Sequence, residues 1–242
     1  MQQRYLLANP FAGLKIRGAT RDPSQQSQRV FSQGEWSLIQ TVAEGLEWSY
    51  EWDATAAQRL RFVIDFAYAT GLRASELVGA TLGMIEVDAE GDQWLHLVGK
   101  GAKAGKVALP PLARTALDRY LVQRGLLVTR TRWEPATPIV GSLQDERRSG
   151  ITAARLWAII KRFFLQVADL IENQNPAAAE KLRRASPHWM RHTHATHALA
   201  HGAELTTVRD NLRHASLSTT SIYLHGEDVK RARQLGEAFK AR

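Results

Sequence analysis

Between Met84 and Pro110 the apolar periodicity of this 242-residue chain changes from about 3.6 residues to 2, and on both flanks it is helical. Met84-Ile85-Glu86-Val87-Asp88, the turn residues Glu90-Gly91-Asp92 and Trp94-Leu95-His96-Leu97-Val98 have the pattern of a β-hairpin. A glycine-rich turn, Gly99-Lys100-Gly101-Ala102-Lys103-Ala104-Gly105, then leads to Lys106-Val107-Ala108-Leu109-Pro110, which predicts a third antiparallel strand. The expected fold class is therefore α+β and mainly α-helical, with one small three-stranded antiparallel sheet.

Upstream of the sheet, Ser32 with Glu35 has capping-box spacing, and Trp36, Ile39, Val42, Ala43 and Leu46 recur as one helical face. A more apolar helix is expected over 54–70, with Asp53 as N-cap and Gly71 as C-terminal cap. Downstream, helices are expected over 112–123, 152–171, 177–184, 187–201, 206–213, 218–224 and 228–240. Ser186 before Pro187 makes an N-cap and first-turn pair, and Gly202 a stop. Residues 1–30 mix Pro10, Gly13, Gly18 and Pro23 with the polar tract Ser24-Gln25-Gln26-Ser27-Gln28 and read as a linker or arm. There is no internal repeat.

The chain has no cysteine, which excludes disulfide frameworks, thiolate metal sites and cysteine nucleophiles, and fits a reducing cytoplasm. No run approaches the roughly 18 apolar residues of a transmembrane span, and Met1-Gln2-Gln3-Arg4 does not open a signal peptide. The expectation is a cytoplasmic protein without a membrane partner. Thirty-two Lys plus Arg against 24 Asp plus Glu give a net charge of +8, a field that attracts polyanions. Residues 181–242 hold 11 basic and five acidic residues, so this quarter supplies +6 of the excess.

Seven of the eight histidines lie between positions 188 and 225, five of them (His188, His192, His194, His197 and His201) on one expected helix. The i, i+4 pairs invite a zinc reading, but there is no His-Glu-x-x-His pattern, no cysteine, and Arg191 sits inside the first pair. Most of these histidines are expected to be structural or solvated. His188 and Arg191 stand apart, because i, i+3 spacing sets an imidazole and a guanidinium side by side on a first helical turn. A helix start also favours an anion.

From that pair outward the chain carries Thr70-Gly71-Leu72-Arg73-Ala74-Ser75-Glu76-Leu77, Gly99-Lys100-Gly101, His188-Trp189-Met190-Arg191, and Leu212-Arg213-His214 followed nine residues after the histidine by Tyr223. This ordered set resembles the C-terminal catalytic domain of the tyrosine recombinase, or phage integrase, family, over roughly residues 29–238. The resemblance implies attack by the Tyr223 hydroxyl on a DNA phosphodiester, forming a 3′-phosphotyrosyl link and releasing a 5′-hydroxyl. By the same matching, Arg73 and Arg191 clamp the phosphate, His188 is the base, Lys100 the general acid, His214 a hydrogen-bond donor to the phosphate, and Glu76 a support that orients the cations. Those residue types suit the chemistry. Two planar guanidiniums bind developing phosphoryl charge bidentately, and a phenol with a pKa near 10 needs a base.

No cofactor and no metal is implied, and the stored phosphotyrosyl bond implies strand exchange rather than hydrolysis. The partner implied is double-stranded DNA, with full-length members acting as homo-tetramers on two DNA sites and this domain alone compatible with a monomer. A mobile genetic element or a resolution system is the implied setting. Taken singly, Arg73 reads rather as an ordinary surface partner of Glu76, Lys100 as a turn lysine and Tyr223 as a half-buried core aromatic. Lys103 and Lys106 rival Lys100, and Tyr5, Tyr50, Tyr68 and Tyr120 rival Tyr223, although Tyr68 and Tyr120 fall in expected helix interiors. Trp189 reads as packing.

Three features depart from the family. Arg213 stands where glycine commonly precedes the motif's histidine, adding a cation near the phosphate. The stretch 169–184 is longer than in compact members. About 30 residues precede the first helix, of which Asn9-Pro10-Phe11-Ala12-Gly13-Leu14-Lys15 resembles an interdomain linker. The expected organisation is an arm at 1–30 and a catalytic domain at 31–242, with the family's N-terminal DNA-clamping domain absent. The rival readings are a non-cleaving DNA-binding module of the same fold and a type IB topoisomerase-like enzyme that relaxes DNA around one nick.

Overall fold

The computed structural model describes residues 29–98, 104–144, 149–214, 216 and 220. Four helices, α1 (Gln33–Glu44), α2 (Leu46–Ser49), α3 (Ala54–Thr70) and α4 (Ala74–Gly79), precede a sheet of β1 (Ile85–Val87), β2 (Gln93–Val98) and β3 (Ala104–Ala108). Five more follow: α5 (Pro111–Gln123), α6 (Ala153–Ile171), α7 (Pro176–Arg184), α8 (Pro187–Ala200) and α9 (Leu205–Leu212). Single 3₁₀ turns lie at Leu82–Met84 and Arg130–Arg132. The mainly helical α+β class with a small antiparallel sheet is the observed one.

Most boundaries follow local chemistry. Ser32 Oγ accepts from the Glu35 N–H at 3.2 Å while Glu35 accepts from the Ser32 N–H at 2.7 Å, a complete capping box. Asp53 accepts from the N–H groups of Thr55 and Ala56, and Thr152 and Asn175 cap α6 and α7 in the same way. Ser186 occupies the N-cap of α8, but its side chain makes no capping hydrogen bond. The long stretch at 169–184 is a helical hairpin: α7 folds back on α6, with Arg183 paired to both Asp169 and Glu172.

The sheet is a meander in the order β1-β2-β3 with Ile85 opposite Leu95 and Leu95 opposite Val107, so these residues bury one face. β3 begins at Ala104 rather than Lys106, bringing Gly105 into the ladder opposite Leu97. The helices α2 and α4 were not anticipated, and α9 runs one residue earlier than expected because Arg213 turns left-handed at φ 52°. The expected helix over 218–224 apart from Thr220, the expected helix over 228–240, residues 99–103 of the glycine-rich turn and all but the last two residues of the 1–30 arm lie outside the described residues.

α3 is the central helix. Leu60, Phe62, Val63, Ile64, Phe66 and Ala67 are all buried, and Phe62 stacks on Tyr120 of α5 at 4.5 Å. Phe31 draws α6 and α8 together through Phe164 at 5.4 Å and Trp189 at 5.6 Å. A separate small cluster of Ala195, Leu199, Val208 and Leu212 seats α9 on α8. No helix among the described residues is long and apolar enough to cross a membrane.

Gly71 closes α3 at φ 67°, and a Cβ there would lie 2.6 Å from both His194 Cδ2 and Leu212 Cδ2. Left-handed backbone costs an L side chain about 1 kcal/mol, and forced overpacking about 1–3 kcal/mol more. Gly71→Ala is therefore expected to lower stability by roughly 2–4 kcal/mol, read as a lower denaturant midpoint with unchanged slope.

Candidate active site

The αL turn at Gly71 releases the chain from α3, and Leu72, 5% exposed, pins it before Arg73 opens α4 in extended conformation. Glu76, one turn into α4, reaches back: Oε2 accepts from the Arg73 N–H and Oε1 from Arg73 Nη1, both at 2.8 Å. Arg213, beyond the end of α9, places its Nη2 on the same Oε1. Burial acts to raise the Glu76 pKa, but the Arg73 N–H and the two guanidiniums hold it below the usual carboxylate value.

Arg191 projects from α8 and is 2% exposed. Its Nη1 donates to Gly71 O at 2.7 Å and its Nη2 to Leu212 O at 2.5 Å. One planar fork thus ties the end of α3 to the end of α9, satisfies two helix-terminal carbonyls and fixes the plane of its own guanidinium. Asn211 makes a parallel tie. Its Oδ1 accepts from Ala108 N–H on the open edge of β3 at 2.9 Å, and its Nδ2 donates to Thr70 O at 3.2 Å.

His214 follows directly. Its Nδ1 lies 2.8 Å from Thr220 Oγ1, so with the hydroxyl as donor the ring carries its proton on Nε2. Burial, then the cations of Arg191 and Arg73 and the imidazole of His188, press its pKa down to about 4, which makes it a neutral donor at pH 7. His188 itself is exposed on the first turn of α8, edge-to-face with His192 at 4.4 Å.

The other histidines of α8 serve the fold. His197 takes the Tyr68 hydroxyl on Nδ1 and donates from Nε2 to Phe31 O, each at 2.9 Å. His194 Nδ1 lies 2.7 Å from Tyr68 O and His192 is buried. Among the described residues no group of three or more His, Asp or Glu is placed to hold a metal ion. Trp189 is 7% exposed in the aromatic core.

Of the expected site residues, Arg73, Glu76, His188, Arg191 and His214 come together at the junction of α3, α4, α8 and α9. Lys100 and Tyr223 lie outside the described residues. Lys106 places its ammonium 3.8 Å over the Trp94 ring, beside a cavity of about 570 Å³ between β3 and α9. Three contributors to the site escaped the sequence reading: Asn211, Thr220 and the carbonyl of Gly71. Asn211 alone left a signal, a polar residue at helical spacing from Val208 and beside Leu212, inside the apolar stripe of α9.

The chain matches the Phage integrase family over residues 38–229. It is 36% identical over 198 residues to the tyrosine recombinase XerD of Pseudomonas aeruginosa, covering 81% of this chain and 58% of that protein. To the tyrosine recombinase XerD of Xanthomonas axonopodis pv. citri it is 34% identical over 190 residues, covering 77% and 57%. It thus spans little more than half the length of these curated relatives. Among solved structures, a XerH site-specific recombinase bound to palindromic difH substrate in a post-cleavage complex shares the fold. Its TM-score is 0.61 at 21% identity, with 86% of this chain and 52% of that one covered.

Proposed function

Because the chain belongs to the phage integrase family, we propose that residues 31–242 are the catalytic domain of a site-specific recombinase that cuts and rejoins double-stranded DNA through a 3′-phosphotyrosyl intermediate. The observation that carries this reading is the convergence of two arginines and two histidines on one pole, with His214 held neutral among them. That is a cradle for a phosphate.

In this reading Arg191, locked by two backbone carbonyls, and Arg73, aimed by Glu76, take the non-bridging oxygens. His214 adds a neutral N–H. Tyr223 Oη attacks phosphorus, its proton passing to His188, and the 5′-oxygen leaves with a proton from Lys100. The P–O bond to the tyrosine replaces the P–O bond to the 5′-oxygen. A 5′-hydroxyl then reverses the step on the same or an exchanged strand, so no nucleotide hydrolysis is required. Double-stranded DNA as partner and action in the cytoplasm belong to the same proposal, as does assembly of the full-length protein as a homo-tetramer on two DNA sites, with this domain alone compatible with a monomer. The relative XerH is bound to its difH substrate in a post-cleavage complex.

The test is covalent capture. The protein is mixed with sheared and nicked DNA of its source organism and denatured in SDS, and protein-linked fragments are sequenced beside a Tyr223→Phe control. Adducts clustered at one sequence and lost in the control are expected. Scattered adducts with supercoil relaxation would favour the topoisomerase reading, and DNA binding without any adduct the non-cleaving module.

A further inference from the structure

Among the described residues of this junction, Arg213 is a charged side chain with no task in the proposed chemistry. It ends α9 at φ 52°, a conformation that costs a non-glycine residue about 1 kcal/mol, so its surroundings must hold it there. Its aliphatic stem lies across β3: a Cβ on Gly105 would come within 2.5 Å of Arg213 Cδ. Its Nη2 pairs with Glu76 Oε1. Its Nη1 is buried with no hydrogen-bond partner among the described residues. A cation is thus threaded from α9, over the one strand position without a side chain, to the carboxylate that aims Arg73.

The Arg73–Glu76 pair alone is an i, i+3 contact with the arginine side chain 43% exposed. Pairs of this kind are worth a few tenths of a kcal/mol and do not hold a long side chain in one direction. Glu76 is different, because its own side chain is only 13% exposed and its two oxygens accept from three donors, Arg73 N–H, Arg73 Nη1 and Arg213 Nη2. We propose that Arg213 is a positioning residue, clamping Glu76 against α9 and β3 so that the carboxylate in turn holds the Arg73 guanidinium toward the phosphate. The clamp is a property of the free protein; only its catalytic consequence rests on the recombinase reading.

Glu76 is faced by Arg73 from the start of its own helix and by Arg213 from α9, and His214 in turn lies within the field of Arg73 and of Arg191 from α8. Three variants of the 242-residue chain separate the clamp from plain packing. Arg213→Gly suits the left-handed backbone and removes the charge. Arg213→Lys keeps the charge. Gly105→Ala displaces the Arg213 stem without altering any charge.

The first readout is NMR titration of the Glu76 carboxyl without DNA. Arg213→Gly and Gly105→Ala are expected to move its midpoint upward, Arg213→Lys to restore part of the shift, and Gly105→Ala to have no further effect in an Arg213→Gly background. The second is the single-turnover rate of adduct formation on the captured DNA. A loss of about tenfold is expected for Arg213→Gly with DNA binding changed less than about threefold, and partial rescue by lysine. An unmoved Glu76 midpoint overturns the clamp, and a moved midpoint with an unchanged adduct rate overturns its positioning role. A wild-type chain that forms no adduct defeats the recombinase reading instead, and the titration still decides the clamp.

Discussion

Arg191→Lys is expected to fail in two measurements at once. The guanidinium is buried and its fork spans Gly71 O and Leu212 O, the two carbonyls that end α3 and α9. A lysine ammonium is a single point at the end of a flexible stem and satisfies one of them at most. A buried carbonyl left unpaired costs about 1–3 kcal/mol, so the midpoint of chemical denaturation is expected to fall by an equivalent of roughly 2 kcal/mol. Because the same plane is proposed to face the phosphate, loss of one preorganised donor pair is expected to slow adduct formation by about 10²–10³-fold. Arg73→Lys, whose guanidinium is far more exposed, should slow the chemistry while leaving stability within about 0.5 kcal/mol. Wild-type stability for Arg191→Lys would contradict the tie between the two helix ends.

The second large effect is acid instability centred on α8. Burial first, then the neighbouring His188, Arg191, Arg29 and His214, push the His192 pKa to about 3. Burial, with Arg191 and His197, pushes His194 to about 4 despite its contact with Tyr68 O. In the unfolded chain both titrate near their ordinary value of about 6.5. Between about pH 6.5 and 4 the unfolded state therefore binds more protons than the folded one, and stability falls as pH falls. Above about pH 7 these groups contribute no slope, and below their folded values the loss levels off. His194 borders the cavity beside α9, where solvent softens its penalty, so the combined loss by pH 4 is on the order of 3 kcal/mol, or about 10 °C in Tm. Melting curves from pH 8 to 4 check this, and His192→Gln with His194→Gln should make the acid limb shallower, leaving the part that His214 and His197, also lowered by burial, contribute. A flat profile in the wild type would contradict the neutral burial of these imidazoles.

What could be read from the chain beforehand was what short-range chemistry controls. The Ser32–Glu35 box, the Asp53 cap and the Gly71 stop act within one turn, and the alternation from Ile85 to Val98 sets a sheet register whatever lies around it. The helix α4 escaped because six residues carry too little periodicity, and what starts it is Glu76 reaching back to Arg73. The region between α5 and α6 was silent for the opposite reason. Its order comes from pairing with distant backbone, as where Thr81 bridges Pro138 and Arg124 donates to Pro138 O. In the site, Arg73, His188, Arg191 and His214 were reached through the family resemblance that their ordered motifs carry. The three-way sharing of Glu76, the fit of Arg213 over Gly105 and the Asn211 tie are tertiary relations that no local pattern encodes.

The most direct test of the central claim is the identity of the linked amino acid. The protein is allowed to form adducts on nicked source DNA and denatured, the DNA is digested to a short stub, and the modified peptide is sequenced by mass spectrometry. The account predicts a nucleotide on Tyr223 joined through its 3′-phosphate, and no adduct in Tyr223→Phe. A stub on another side chain, a 5′-phosphate linkage, or cleavage that persists in Tyr223→Phe would contradict it.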